Sequence, residues 1–371
     1  MHRKTKNKVF SFLLIVFVLI LLITFAELAS RLTFPTNKLN SATGIYLNSN
    51  TKGWAFKPNA ETIFEENIDN KEFSQHVKIN SKGLRDYEYK YKKPNGTFRI
   101  IMIGNSIIAG LEVPLDSTFE NILEVKLGED YEVLNLAVKA YENQQEIIHL
   151  EEEGFKYNPD LIIFNFYTGY DFLKNARSNL YTLEGDKLVK NKIPERKLTN
   201  LRNFLSRKSS LYNLLSNLKG EYIKGNNLPE NRTVEIYQIL KKEEFRETNF
   251  KPEITNFTLL NLKKLTKEKN IPLIITIIPM KEQVDKGKLK EAIQTHGMKE
   301  EQLDIDWSIR YIEEWGKIES IPIINLQPKM KEKNINNSLY FDVASHLTVE
   351  GHKVVGEILH ERLISYFQSN S

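Results

Sequence analysis

The sequence has 371 residues, 41% of them hydrophobic and 27% charged, enough for one large α/β domain with additions or for two smaller domains. Its formal net charge of +4 is small for this length and leaves no electrostatic footprint for nucleic acid. It has no cysteine, which excludes disulfides, thiol chemistry and lipid attachment through cysteine, and its seven histidines fall in no spacing such as H-E-x-x-H, so no metal site is readable.

The first residues, His2 to Lys8, are basic, and Val9 to Ala26 follow without a charge. Eighteen residues at ~1.5 Å each span ~27 Å, close to the hydrocarbon thickness of a bilayer. A cleaved signal peptide is the alternative. The apolar run exceeds the usual length for one, and Glu27 sits badly in a small-x-small cleavage site at Glu27-Leu28-Ala29. Residues 1–30 therefore read as a basic tail and a single uncleaved span. The Lys/Arg cluster predicts a cytoplasmic N-terminus, with the main domain periplasmic or extracellular.

Residues 31–97 form a polar lead-in with short strands, containing the turn signal Asn80-Ser-Lys-Gly-Leu-Arg85 and ending in the breaker cluster Lys92-Lys-Pro-Asn-Gly-Thr97. The main domain is expected at 98–371. Its first strand, Phe98 to Ile103, is apolar except for Arg99 and runs into Gly104-Asn105-Ser106. Glycine permits a tight turn, and Asn and Ser open helices. A serine at such a turn lies at the carboxyl end of a sheet, where open α/β folds build their sites and where a helix N-terminus faces negative charge. The same tripeptide after a strand is also an ordinary turn with a helix cap.

A helix capped by Asp116 or Ser117 is predicted through Leu127, then a strand over Tyr131–Asn135 and a helix to about Glu153. Leu161–Phe166 reads as a third strand. Strand and helix alternate in this way in parallel sheets. Residues 176–252 break the rhythm as a charged, mostly helical insertion, for example over Leu201–Leu218, most simply a solvated surface beside the site. A helix over Ile254–Lys269, strands within Ile271–Pro279 and Ile321–Leu326, a helix within Glu300–Glu319 and a final amphipathic helix to about Phe367 complete the pattern.

Four stretches, in order, resemble the motifs of the SGNH/GDSL hydrolase family. They are Gly104-Asn105-Ser106 with Gly110; Asn135-Leu-Ala-Val-Lys-Ala-Tyr141; Thr168-Gly169-Tyr170-Asp171 with Asn175; and Asp342-Val-Ala-Ser-His346-Leu-Thr-Val-Glu-Gly-His352. The resemblance covers about Phe98 to Phe367, and Asn80–Arg85 looks like the lead-in of membrane-anchored members. It implies a three-layer α/β/α, flavodoxin-like fold with a mostly parallel sheet, here preceded by one transmembrane helix. It also implies Ser106 as nucleophile, His346 as base and Asp342 as the acid that orients the base. An oxyanion hole would come from the N–H of Ser106, the N–H at Ala140 and the side chain at Tyr170. No cofactor is implied. The implied substrate is an ester, often an acylated glycan, and the reaction is hydrolysis or acyl transfer.

The chain departs from the family pattern at four places. Asn105 replaces Asp, Ala140 replaces Gly, Tyr170 replaces the oxyanion Asn, and Asp342 precedes His346 by four residues rather than two or three. Tyr170 and the spacing of Asp342 support a second reading, a non-catalytic protein of the same fold that binds a glycan or a partner or organises an envelope assembly. Asn105, Glu142, Asn143 and Asp171 are candidates for a polar substrate pocket, although Glu142 and Asn143 could equally cap the next helix and Asp171 could be a cap. His352 reads as structural and His149 as a surface or core residue.

Overall fold

In a computed structural model, residues 2–33, 45–65, 72–178, 180–184, 187–191, 198–212, 214–215, 218, 237–246, 251–342 and 345–370 are described. Parts of the lead-in (34–44 and 66–71) and of the insertion (192–197 and 219–236) lie outside the described residues.

The chain opens with a long helix, α1 (His2–Thr33), followed by four short strands, β1 (Tyr46–Ser49), β2 (Gly53–Phe56), β3 (Glu61–Glu65) and β4 (Ser74–Lys78). Then come β5 (Phe98–Ile103), α2 (Ser106–Ala109), α3 (Phe119–Leu127), β6 (Tyr131–Asn135), α4 (Asn143–Glu152), β7 (Leu161–Tyr167) and α5 (Asp171–Arg177). A hairpin, β8 (Tyr181–Glu184) and β9 (Lys187–Lys190), precedes α6 (Thr199–Lys208). The remainder is α7 (Pro252–Glu268), β10 (Leu273–Ile278), α8 (Lys281–Val284), α9 (Lys286–Thr295), α10 (Trp307–Glu319), β11 (Ile323–Asn325), α11 (Gln327–Lys333) and α12 (Val349–Asn370).

Two compact units are present. One comprises Met1–Asn48 with Arg196–Pro229, the other Ser49–Glu195 with Glu230–Ser371. In the first, Phe10–Leu32 of α1 is long and apolar enough to cross a membrane, with a mean hydropathy of 2.9, and a signal sequence would pass the same test. In the second, five strands form a sheet in the order β11-β10-β7-β5-β6 with every pairing parallel. This is the doubly wound 2-1-3-4-5 order, and its switch point lies between β5 and β7. All seven residues of β7 and all six of β10 are buried, because helices cover both faces of a parallel sheet. The apolar runs that predicted the strands are thus the middle layer of the domain.

Arg99, the one charge in β5, is wholly buried. Its guanidinium pairs with Glu132 on β6 and donates to the carbonyls of Tyr91 and Tyr157. The boundary expected before Phe98 is not a domain boundary, since the compact unit begins at Ser49. The predicted cap of α3 also differs. Asp116 and Ser117 lie in a short 3-10 turn, and Thr118 precedes the helix without a side-chain cap bond.

Candidate active site

Ser106 stands at the switch point. Gly104 leaves β5 where a Cβ would fall 2.7 Å from the Ile108 side chain, so the strand can meet the helix this closely only without one. Asn105 caps α2, its side chain accepting from the Ile107 N–H at 3.2 Å. After one turn Gly110, at φ +56, ends the helix in the left-handed region. The chain therefore doubles back, and Glu112 returns towards the serine.

His346 comes from the far end of the sequence. The loop that carries it is fixed by a backbone bond from Phe341 N–H to the His346 carbonyl at 2.8 Å and by Tyr340 Oη donating to the Pro279 carbonyl at 2.6 Å. Ser345, next to it, is left-handed at φ +55, a conformation that costs a non-glycine residue about 1–2 kcal/mol. The imidazole Nε2 lies 3.0 Å from Ser106 Oγ, and Nδ1 lies 2.7 Å from Glu112 Oε1. With a carboxylate on Nδ1 the ring keeps its proton there, and Nε2 is free to accept from the serine hydroxyl.

The acid expected from the sequence, Asp342, is elsewhere. Its side chain is 72% exposed and pairs with Lys288 Nζ at 2.9 Å, which holds its carboxyl below the usual range. The carboxylate on the histidine belongs to Glu112, six residues after the serine and 2% exposed. One sequence signal pointed to it. Glu112 is a lone acid in the run Ile107-Ile-Ala-Gly-Leu-Glu-Val113, and a charge among apolar neighbours needs a partner. Burial pushes the Glu112 carboxyl up, but the His346 ring and Lys139 outweigh this and hold it below its ordinary value.

Three positions were expected to hold an oxyanion. Among the described residues nothing accepts from the backbone N–H of Ser106 or of Ala140. Ala140 has φ +66, so the loop does adopt the conformation that favours glycine, with alanine in it. Tyr170 is 39% exposed and has no hydrogen bond from its hydroxyl among the described residues. It lines a cavity of about 380 Å³ together with Ser106, His346, Ala140, Lys139 and Lys174. Both lysines meet aromatic faces, Lys139 over Phe64 at 4.2 Å and Lys174 over Tyr170 at 5.4 Å.

Of the four residues expected to line a substrate pocket, only Asn105 touches this cavity. Glu142 closes a capping box with Gln145 at the start of α4 and accepts from Ser178 Oγ at 2.6 Å. Asn143 and Asp171 are buried beneath the site. Asn143 accepts from Asn175, and Asp171 accepts from Tyr167 N–H and from Asn105 Nδ2. Burial raises Asp171, and burial together with the neighbouring Asp171 raises Glu146 well above the usual carboxylate range. Their polarity serves a hydrogen-bonded interior network rather than a ligand.

The lead-in braces the site loops. Arg85, buried, donates to the carbonyls of Ala109 and Val113 on either side of the turn that presents Glu112. Asp86 accepts from the Asn135 N–H at 2.7 Å. Trp54 Nε1 donates to the Lys139 carbonyl at 3.1 Å, and Tyr141 Oη donates to the Trp54 carbonyl at 2.7 Å, which fixes the loop that carries Ala140. His352 is structural. It is buried, its Nδ1 accepts from Phe119 N–H at 3.2 Å, and burial with the nearby Arg85 charge pulls it down to about 3. Among the described residues there is no cluster of three or more residues suited to hold a metal ion.

No protein-family model matches the sequence, and a search of curated proteins finds no match. The solved structures similar to this chain include a GDSL-like lipase from Bacteroides thetaiotaomicron, 15% identical, covering 72% of this chain and 88% of its own with a TM-score of 0.37. A lipase/acylhydrolase from Enterococcus faecalis is 14% identical, covering 72% and 95%, TM-score 0.35. A member of the lipolytic G-D-S-L family from Veillonella parvula is 12% identical, covering 71% and 97%, TM-score 0.36.

Proposed function

We infer that the protein is a membrane-anchored serine esterase or O-acyltransferase acting on acylated carbohydrate of the cell envelope. The observation that carries this reading is the continuous relay Ser106 Oγ, His346, Glu112, at 3.0 and 2.7 Å. Ser106 Oγ attacks the ester carbonyl carbon while its proton passes to His346 Nε2, and Glu112 stabilises the imidazolium through Nδ1–H. The oxyanion is held by the N–H groups of Ser106 and Ala140. As the carbonyl re-forms, the C–O bond to the leaving alcohol breaks and that oxygen takes the proton from Nε2, leaving an acyl-serine. Water, or the hydroxyl of an acceptor sugar, then attacks with the same histidine as base.

The basic N-terminal tail and the apolar span of α1 support a cytoplasmic tail with the α/β unit on the outer side. The aromatic and lysine-lined cavity suits a sugar, whose faces stack on rings. Hydrolysis of a short p-nitrophenyl acyl ester by the full chain in detergent tests the reading. Turnover is expected, and Ser106→Ala abolishes it.

One observation favours the alternative, a protein of this fold that binds a glycan without cleaving it. Tyr170 puts no amide donor at the third oxyanion position. An oxyanion donor is worth about 100- to 1,000-fold in rate. If the parent protein is inactive while Tyr170→Asn turns the ester over, the relay is competent and the native protein is a binder. Inactivity of both, in folded protein, removes the esterase reading.

A further inference from the structure

The unit that contains α1 also contains part of the insertion, and the two are pinned at one point. The charge-free run of the span ends at Ala26, and Glu27 is the first charge after it. Glu27 accepts from Ser209 Oγ at 2.7 Å, from Ser210 N–H at 3.0 Å and from Leu211 N–H at 3.1 Å. Arg31, one turn on, pairs with Glu27 and donates to the Lys208 carbonyl at 2.8 Å. Glu27 thus caps the helical residues that begin at Ser210, just where α6 ends. The break between two insertion helices is therefore held at Glu27, just past the charge-free run of α1.

Both helices leave apolar side chains uncovered. Leu198, just before α6, and Leu201 and Phe204 within it are 65%, 48% and 57% exposed. In the segment after Ser210, Leu211, Leu214, Leu215 and Leu218 share one face, and Leu215 and Leu218 are each 56% exposed. Arg202 and Lys208 are exposed beside them. An amphipathic helix with basic residues on its polar side and large apolar residues on the other lies in the plane of a membrane interface. α6 and the segment after Ser210 thus each carry an exposed apolar face, and the two meet beside Glu27.

We propose that α6 and the helical segment after Ser210 lie on the bilayer in the leaflet where α1 emerges, with Leu198, Leu201, Phe204, Leu215 and Leu218 in the headgroup–acyl boundary. The occupant of these faces is lipid, because Glu27 and Arg31 tie the helices to a span that itself ends in lipid. The proposal rests on the reading of α1 as a retained membrane span.

The absence of cysteine makes the test direct, since any single cysteine introduced is unique. Nitroxide labels are placed one at a time at Leu201, Phe204, Leu215 and Leu218, at Arg202 as a polar-face control and at Leu19 as a marker of the span. The full chain is reconstituted in vesicles of phosphatidylethanolamine and phosphatidylglycerol. Collision rates with oxygen, which concentrates in lipid, are compared with those of a water-soluble nickel chelate, and circular dichroism checks each variant's fold. The four apolar-face labels are expected to favour oxygen severalfold over the Arg202 label. A Leu19 label in lipid with the four labels as water-accessible as Arg202 overturns the proposal alone. A Leu19 label in water overturns the span and the proposal together.

Discussion

The side-chain amide of Asn105, the residue before Ser106, donates to Asp171 Oδ1 at 2.9 Å, and both residues are buried. An aspartate at position 105, the residue the family motif carries, would face Asp171 with Glu146 behind it. The asparagine is thus matched to its surroundings in this chain. Asn105→Asp is expected to destabilise the fold by about 2 kcal/mol at pH 7, since it replaces a donor with a like charge. The loss should shrink at pH 5, where one of the acids takes a proton. Urea denaturation at the two pH values checks this, and an equal loss at both would show that charge is not the cause.

Two acids compete for one role, and substitution separates them. Glu112→Gln keeps the shape but removes the charge that stabilises imidazolium, and ester turnover should fall about 1,000- to 10,000-fold. Asp342→Asn breaks only an exposed pair with Lys288 and should leave turnover near that of the parent. The reverse ranking would sink the assignment of Glu112.

Ala140 is held at φ +66, where an L-residue is strained by about 1–2 kcal/mol. Ala140→Gly removes that strain and adds some unfolded-state entropy. The expected balance is a gain of about 0.5–1 kcal/mol, read as a higher thermal midpoint. The N–H is unchanged, so turnover should persist. A fall in the midpoint would show that the loop holds alanine without strain.

Acid stability follows from two histidines. Burial, aided by nearby lysine charge for His149 and by Arg85 for His352, pulls both rings down to about 3. Unfolded, each takes a proton near pH 6.5. The unfolded chain therefore binds more protons between those values. The contribution is complete above about pH 6.5 and is lost as pH falls towards 3, at about 1.4 kcal/mol per pH unit per ring. Among the described residues neither ring nitrogen of His149 has a hydrogen-bond partner, so leucine can take its place. His149→Leu should lose about 2 kcal/mol less than the parent between pH 7 and pH 5. Identical losses in denaturant titrations would contradict the account.

The sheet was legible because every strand of a parallel sheet covered on both faces must be apolar, and runs such as Leu161–Phe166 have no other use in a compact domain. That Ser106 and His346 would meet was legible because a turn and a loop carried them in recognisable company. Glu112 was not, because an acid's role depends on where the backbone turns, and Gly110 turns it in a way that spacing does not reveal. Glu142, Asn143 and Asp171 looked like pocket residues for a related reason. Polar residues after a strand serve a ligand or the interior, and only packing decides. The weight of the lead-in was hidden as well, since Arg85 and Trp54 act on carbonyl groups, which leave no trace in side-chain chemistry.

Ser106 and Glu112 travel together on one short turn, while the histidine that joins them lies 240 residues further along the chain. During synthesis the serine and its acid therefore emerge long before the group that connects them. The relay stays incomplete until almost the whole polypeptide has been made and the loop that carries His346 has docked. A protein able to cleave or move acyl groups would thus be harmless while it is being made, with its chemistry switched on by the completion of folding alone.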